Sequence, residues 1–372
     1  MNSKDFSVSF KRRTLLGLGI FLVAARARHA FAAATAADFE RPLELVTEHD
    51  KLSGLHALLV SRHGEVIFEH YQPGEDETRS SKQLGVVDFA PTVPHDLRSV
   101  TKGVVGLLYG IALADGKVPP TEAKLYAQFP EYADLGAQAG RDKLTIAHAL
   151  SMTMGLEWDE LSLPYGDSRN SETAMDAAPD RYRYILSLPI AGAPGVKWGY
   201  CGGATALLGH LIARGTRMPL LEYARNRLFE PMEFGPVEWA QGHDGEPYAA
   251  SGLRLLPRDT LKIGQLVLAR GAWQTRQLVP TAWVERITTA AVEIDRSLSY
   301  GYHWYLGDVV PAGQSKAHHW IGGLGWGGQR LFVLPELDLV IAILCGNYGK
   351  SLEEQSRVSG ALFRAVVLPL VS

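Results

Sequence analysis

Arg98-Ser99-Val100-Thr101-Lys102 opens an apolar run that continues through Gly103-Val-Val-Gly-Leu-Leu-Tyr-Gly-Ile-Ala-Leu-Ala114 and stops at Asp115-Gly116. Its length and apolar content predict a helix, with Ser99 at the N-terminus and Lys102 one turn later on the same face. That pairing can make a nucleophile. Serine attacks poorly at its own pKa, so a base must stand within hydrogen-bond reach, and a lysine kept neutral by burial can be that base. The free N–H groups of a helix N-terminus also favour negative charge developing beside Ser99. A bare Ser-x-x-Lys is common by chance, and most such helices only bury an apolar face. The reading therefore depends on what the rest of the chain supplies.

The chain is long enough for one large domain or two moderate ones, at 372 residues. A hydrophobic fraction of 46%, a charged fraction of 21% and a net charge of −3 are those of an ordinary globular protein. No Lys/Arg cluster beyond the first thirty or so residues suggests a nucleic-acid partner, and no zinc-ligand spacing or heptad repeat occurs. Two cysteines, Cys201 and Cys345, are too few for a disulfide scaffold, and their pairing is left open.

The segment 1–37 reads as an export signal. Phe10-Lys11-Arg12-Arg13 precedes the apolar Thr14-Leu-Leu-Gly-Leu-Gly-Ile-Phe-Leu-Val-Ala-Ala25, and Ala30-Phe31-Ala32 offers a cleavage site. The apolar run is too short to span a bilayer comfortably, so no permanent membrane span is expected. Adjacent arginines before it, with Arg26 and Arg28 after it, fit a twin-arginine signal and a periplasmic or secreted product.

Beyond the signal, Leu55–Val60 and Glu65–Tyr71 read as two strands around the tight turn 61–64, forming one edge of a sheet. A polar stretch, Gln72 to Asp96, leads to the Ser99 helix. Helix-like pieces follow: Ile146–Met152 with Thr145 as N-cap, Thr205–Arg214 after a Gly-rich turn, and Pro257–Arg270 with Pro in its first turn. Ser299–Leu306 reads as one aromatic strand. Gln329–Val333 and Leu339–Cys345 form a second hairpin whose last arm is apolar enough to be central. Ser351-Leu-Glu-Glu354 is a capping box that starts the C-terminal helix. The expected fold is α/β (α+β), a mainly antiparallel sheet flanked by helices, with 38–115 and 250–372 building the sheet domain and 116–249 an inserted, mainly helical domain.

Three features fall in order: Ser99-x-x-Lys102, then Gly195-Val-Lys-Trp-Gly-Tyr200-Cys-Gly-Gly203, then Gly322-Gly-Leu-Gly-Trp-Gly-Gly-Gln329 before the last hairpin. With the phrases Leu150-Ser-Met-Thr-Met-Gly-Leu-Glu-Trp-Asp-Glu160 and Gly327-Gly-Gln-Arg-Leu-Phe-Val-Leu-Pro-Glu-Leu-Asp-Leu-Val340, this order resembles the serine β-lactamase and penicillin-recognising superfamily. Within it, the chain is most similar to class C β-lactamase-related esterases and 6-aminohexanoate-dimer (nylon oligomer) hydrolases. The resemblance runs from about Leu55 to Tyr348.

It implies that Ser99 is acylated, that Lys102 takes its proton, and that Tyr200 relays a proton to the leaving group. It also implies an oxyanion hole made by the backbone N–H groups of Ser99 and Trp326, with Gly323-Leu324-Gly325 in the place of the family's Lys-Thr-Gly triad. Each such donor contributes on the order of 3–4 kcal/mol to a transition state. Tyr165, Gly202, Gly325 and Trp326 are candidate substrate contacts, and Trp158, Ser251 and Arg254 are weaker ones. Competing readings of the same residues are a core tyrosine satisfied by a backbone acceptor at position 200 and a bulged edge strand for the glycines. No Gly-Lys-Ser/Thr follows the glycines, so a phosphate loop is set aside and no cofactor is expected. His318-His319 point opposite ways on a strand and lack a third ligand, so no metal is expected either.

Two departures bear on substrate. Tyr200-Cys201-Gly202 lacks the family's amide two residues after the tyrosine, and the Gly-rich triad lacks its lysine and threonine. Both argue against antibiotic hydrolysis and toward a small-molecule ester or linear amide. The alternatives are a D-amino-acid peptidase or β-lactamase, and, from another class, a penicillin-recognition fold kept as a binding module with little turnover. Oligomeric state is not legible.

Overall fold

In the computed structural model, residues 36–48, 54–80, 82–311 and 314–371 are described; the export-signal reading falls on residues that lie almost wholly outside them. The helices that frame the site are Ala36–Glu48 (α1), Thr101–Ala114 (α2), Gly202–Thr216 (α3), Pro257–Leu268 (α4) and Leu352–Ala361 (α5). Eight strands form the main sheet. Leu55–Arg62 (β1) and Glu65–Tyr71 (β2) come early, and Val292–Glu293 (β3), Leu298–Tyr300 (β4), Tyr305–Val309 (β5), His318–Gly325 (β6), Gln329–Leu334 (β7) and Leu339–Cys345 (β8) come late. Their order is β3-β4-β5-β6-β7-β8-β1-β2, antiparallel throughout. The seam between early and late chain is β1 on β8, with Leu58 opposite Ile343 and Val60 opposite Ile341. The first hairpin is an edge, as its sequence suggests, and β8 is internal with every residue buried.

The near-continuous apolar runs of β1 and β8 have a simple cause: both faces of the sheet are covered. Alternate side chains point to opposite faces. Leu58, Val60, Ile341 and Ile343 enter one core with Phe39 and Leu43 of α1 and Val358 of α5. Leu59, Val340 and Ala342 enter the other with Val104 and Val105 of α2 and Leu261 and Ile263 of α4. Fully burying a side chain of this size contributes roughly 1.5–3 kcal/mol. Helix α2 is buried almost all round, from Thr101 to Ala112, which is why its sequence is apolar without a polar stripe. Trp283 is seated against Gly110, where an added Cβ would lie 2.0 Å from the indole. Its Nε1 donates to the Gly106 carbonyl at 2.9 Å.

One sequence reading is corrected, and one stretch left unassigned gains structure. Ser299–Leu306 is not one strand: Gly301–Trp304 turns back between β4 and β5, with His303 at φ +65 and Gly301 N–H donating to the Trp304 carbonyl at 2.9 Å. No residue there is a strong turn signal except Gly301, so the aromatic run masked the reversal. The stretch 72–96, read only as polar, holds a short hairpin in which Gly74–Glu77 pairs with Gln83–Val87; the first of these strands is acidic and carries no β-branched residue. Elsewhere the caps agree with the sequence. Thr145 and His148 form a capping box before Ile146–Leu150, and Ser351 and Glu354 form another before α5.

Candidate active site

Ser99 lies in a 3-10 turn, Arg98–Val100, directly ahead of α2. Arg98 has φ +47, a conformation that costs a non-glycine residue on the order of 1–3 kcal/mol and persists only where the surroundings fix it. Here they do. The Arg98 N–H donates to Asp96 Oδ1 at 2.8 Å, and its guanidinium donates to the Glu77 carboxylate at 3.0 Å and to the Thr78 carbonyl at 3.1 Å. The same guanidinium lies 4.3 Å over the Tyr348 ring. Ser99 is thereby half-exposed at the floor of a cleft while its neighbours are buried.

Lys102, 2% exposed, donates from Nζ to Ser99 Oγ at 2.9 Å and to the Ala250 carbonyl at 2.9 Å. Among the described residues no carboxylate forms an ion pair with it. Its Nζ also lies 4.7 Å from the centre of the Tyr200 ring. Tyr200 closes the loop before α3 and lines the same cavity as Ser99. Burial raises the Tyr200 phenol well above its ordinary range, the nearby Glu160 charge adds to this, and the neighbouring Ser99 side chain opposes it. At neutral pH the phenol is therefore protonated, as a proton donor must be. Trp198 walls the ring, their centroids 6.0 Å apart, and Tyr305 stands edge-on to Trp198 in turn.

Strand β6 runs past this turn because it lacks side chains on the facing side. An added Cβ at Gly323 would lie 3.0 Å from Val100, and one at Gly325 would lie 2.6 Å from the Leu97 carbonyl oxygen. Trp326 follows, its Nε1 donating to the Tyr348 carbonyl at 2.9 Å, and Gln329 ties the turn to Cys345 through its side chain. Ser99, Tyr165 and Trp326 line both of two adjoining cavities, of about 240 and 190 Å³. Glu77, Arg79, Glu172, Asp176 and Ser251 line the first; Tyr200, Tyr305, Leu324, Gly325 and Leu352 line the second. A larger space of about 480 Å³, beside α3, holds His210, Arg214 and Glu246 and no serine or cysteine.

The structure thus brings Ser99, Lys102, Tyr200, Gly325, Trp326 and Tyr165 together. Tyr165 meets Trp326 edge-on, with centroids 5.2 Å apart. Gly202 falls outside both cavities, because its N–H donates to Glu160 at 2.7 Å from behind Tyr200. Trp158 packs on Gly203, and Arg254 is paired with Asp76 at 2.8 Å away from the cleft. Cys201 and Cys345 are unpaired and buried, and burial lifts both thiols, Cys345 to about 12. His318 faces Glu336 and His319 faces Asp308. Among the described residues His56, Asp76 and His95 are spaced as metal ligands could be. His56 Nδ1 is engaged with His95 Nε2 at 2.8 Å and Asp76 with Arg254 and Tyr348, while His56 Nε2 is buried without a hydrogen-bond partner.

Sequence reasoning missed Glu160, Glu172 and Arg79. Arg79 pairs with Glu172 at 3.1 Å and Asp176 at 2.6 Å and donates to Ser251 at 2.5 Å. Glu160 sits in the phrase Leu150–Glu160, but nothing in the sequence marks it as buried.

A mainly antiparallel sheet covered by helices, with a Ser-x-x-Lys turn against a glycine strand, defines the penicillin-recognising class of fold. The chain belongs to the Beta-lactamase family, whose family model matches residues 44–357. It is similar to the 6-aminohexanoate-dimer hydrolase of Paenarthrobacter ureafaciens, 23% identical over 305 residues that cover 77% of this chain and 71% of the relative. Among solved structures, a Bacillus anthracis protein provisionally assigned as a 6-aminohexanoate-dimer hydrolase superposes with a TM-score of 0.69 at 19% identity, over 86% of this chain and 80% of that one. EstCE1, a hydrolase with promiscuous acyltransferase activity, gives a TM-score of 0.67 at 14% identity over 88% and 99%. The protein is a hydrolase of the β-lactamase-like family. No helix among the described residues is long and apolar enough to cross a membrane.

Proposed function

We propose that the protein is an exported serine hydrolase that forms an acyl-enzyme on Ser99 and hydrolyses a small ester or linear amide. The observation that carries the reading is the 2.9 Å contact between Lys102 Nζ and Ser99 Oγ, at a cleft that Tyr200 and Trp326 also line. In acylation, Ser99 Oγ bonds to the substrate carbonyl carbon as Lys102 takes the hydroxyl proton. The N–H groups of Ser99 and Trp326 hold the oxyanion, and Tyr200 gives its proton to the departing alcohol or amine as that bond breaks. The proton on Lys102 then restores the phenol. In deacylation water replaces the leaving group and the same groups act in reverse, releasing the acid and free Ser99.

The similarity to a 6-aminohexanoate-dimer hydrolase puts linear amides with short aliphatic chains first in a substrate screen, beside p-nitrophenyl esters. Residues 116–249 are read as an inserted domain that overhangs the cleft, and residues 1–37 as a twin-arginine signal cut after Ala32. The test is intact mass after fluorophosphonate treatment of the mature protein and its Ser99→Ala variant. A single adduct on the wild type, none on S99A, and loss of ester hydrolysis in S99A are expected; hydrolysis that survives in S99A overturns the reading. The mass of the exported protein reports the cleavage site in the same experiment.

A further inference from the structure

Position 202 has no side chain, and two acids occupy the space. An added Cβ there would lie 3.0 Å from Glu160 Oε2 and 3.0 Å from Glu172 Oε1. The Glu160 carboxylate, 2% exposed, accepts from three directions: the Gly202 N–H at 2.7 Å, Trp158 Nε1 at 2.9 Å and the Tyr165 hydroxyl at 3.2 Å. The first belongs to the start of α3, two residues after Tyr200. The last belongs to the cavity wall, and Tyr165 meets Trp326 edge-on.

We propose that Glu160 is a positioning residue for the Ser99 reaction. One carboxylate holds both the segment that presents Tyr200 and the wall residue that braces Trp326, so a single group sets the two sides of the cleft against each other. This rests on Ser99, Lys102 and Tyr200 being the reacting groups. The two N–H groups share Oε2 and the Tyr165 hydroxyl takes Oε1, so protonation on Oε1 keeps the first two bonds and weakens or reverses the link to Tyr165. The charged groups around it are Glu172, whose own partner is Arg79, and Lys102; Tyr165, Tyr200 and Cys201 complete its titratable surroundings. Burial and Glu172 push the Glu160 carboxyl up to about 7, while Lys102 and the Gly202 N–H oppose them.

The experiment compares wild type, Glu160→Gln, Tyr165→Phe and the double variant by kcat and KM on p-nitrophenyl butyrate from pH 5.5 to 8.5. Gln keeps the size and one acceptor oxygen for the Gly202 and Trp158 N–H groups but turns an N–H₂ toward the Tyr165 hydroxyl, reversing that bond. E160Q is expected to lose about tenfold in kcat with KM changed less than threefold, and to lack the acid limb near pH 7 expected of the wild type. Because Y165F breaks part of the same link, the double variant is expected to be no slower than E160Q. Wild-type kcat in E160Q, an unchanged acid limb, or losses that multiply in the double variant each overturn the proposal. If E160Q does not fold, Y165F decides alone, a wild-type kcat overturning and a lowered kcat at constant KM supporting. Fluorophosphonate labelling of the wild type separates this from the underlying reading: an unlabelled Ser99 defeats the proposed function, whereas a labelled Ser99 with an indifferent E160Q defeats only the role of Glu160.

Discussion

Replacing Gly325 with alanine tests the oxyanion site through sterics alone. Gly325 has φ −124 and ψ 149, which any residue can adopt, so the substitution adds no backbone strain. It adds a Cβ 2.6 Å from the Leu97 carbonyl oxygen and 2.9 Å from Gln329 Cβ, where ordinary contact begins near 3.4 Å. The shortfall to Leu97 is about 0.8 Å, and both obstacles are backbone or next to it, so β6 and the Ser99 turn must separate by most of that distance. Trp326 moves with Gly325 and Ser99 moves with Leu97. An oxyanion held by both N–H groups then loses one good hydrogen bond, and loss of one such donor costs about 10²-fold in kcat or somewhat more. Overpacking itself costs about 1–3 kcal/mol of stability. The assay is kcat and KM on a p-nitrophenyl ester, with Gly349→Ala as control, since an added Cβ there meets nothing within 4 Å. Gly323→Ala, which meets only the Val100 side chain and Cα at 3.0 Å or more, should fall between them. A folded G325A with kcat within threefold of wild type refutes the reasoning.

Three further outcomes follow from the same geometry. Tyr200→Phe removes the phenol proton and keeps the ring beside Trp198, so kcat should fall about 10²–10⁴-fold with KM nearly constant; a loss confined to KM would assign Tyr200 to binding instead. Arg79→Met leaves Glu172 and Asp176 unpaired in the interior and should cost about 3–5 kcal/mol by urea denaturation, an unchanged midpoint speaking against a buried ion pair. His303 is buried with neither ring nitrogen hydrogen-bonded, and burial first, then Lys102, pushes its pKa down to about 3. Because the folded value is depressed, the unfolded chain takes up the proton first, so this contribution is intact above about pH 6.5 and is lost as pH falls toward 3. Between pH 6.5 and 5 the wild type should lose about 2 kcal/mol relative to His303→Asn. Glu160 and Asp176, raised by burial to about 7 and 6, act in the opposite sense but are common to both proteins and cancel. Parallel stability curves would show that His303 titrates normally.

What the sequence made legible, it did through short-range signals. Ser99 and Lys102 are three residues apart on one helical turn, so their 2.9 Å contact needs no long-range information. The apolar runs of β1 and β8, the Thr145 and Ser351 caps and the glycines of β6 are equally local. Tyr200 and Trp326 were reached only through the order of motifs, because their approach to Ser99 depends on chain closure over a hundred residues and more. Glu160 and Arg79 were not reached at all. An acid on a loop and an arginine in a polar stretch look solvated in one dimension, and only the tertiary structure shows that α3 begins against one and that two acids surround the other. The turn inside Ser299–Leu306 failed for a related reason, since aromatic residues favour strands whether or not the chain reverses among them.

The charge arrangement bears on substrate class in a way the missing Lys-Thr-Gly side chains only hint at. Two arginines, Arg79 and Arg98, line the first cavity, a pattern that by itself suits a carboxylate-bearing ligand. Each is already engaged: Arg98 with Glu77 at 3.0 Å, and Arg79 with Glu172 and Asp176. A substrate carboxylate would have to displace a protein carboxylate and leave it unpaired in a desolvated place, which costs several kcal/mol. Adding the ligand without displacement would bring a further negative charge beside three acids, Glu77, Glu172 and Asp176. The second cavity, with Leu324, Leu352, Tyr305 and Trp326, offers mostly apolar surface beside Arg330. That guanidinium is also engaged, donating to the carbonyls of Gly325 at 3.0 Å and Gln329 at 2.8 Å. On the proposed reading of the site, these completed pairs argue for a neutral acyl group and a neutral leaving group rather than an anionic β-lactam.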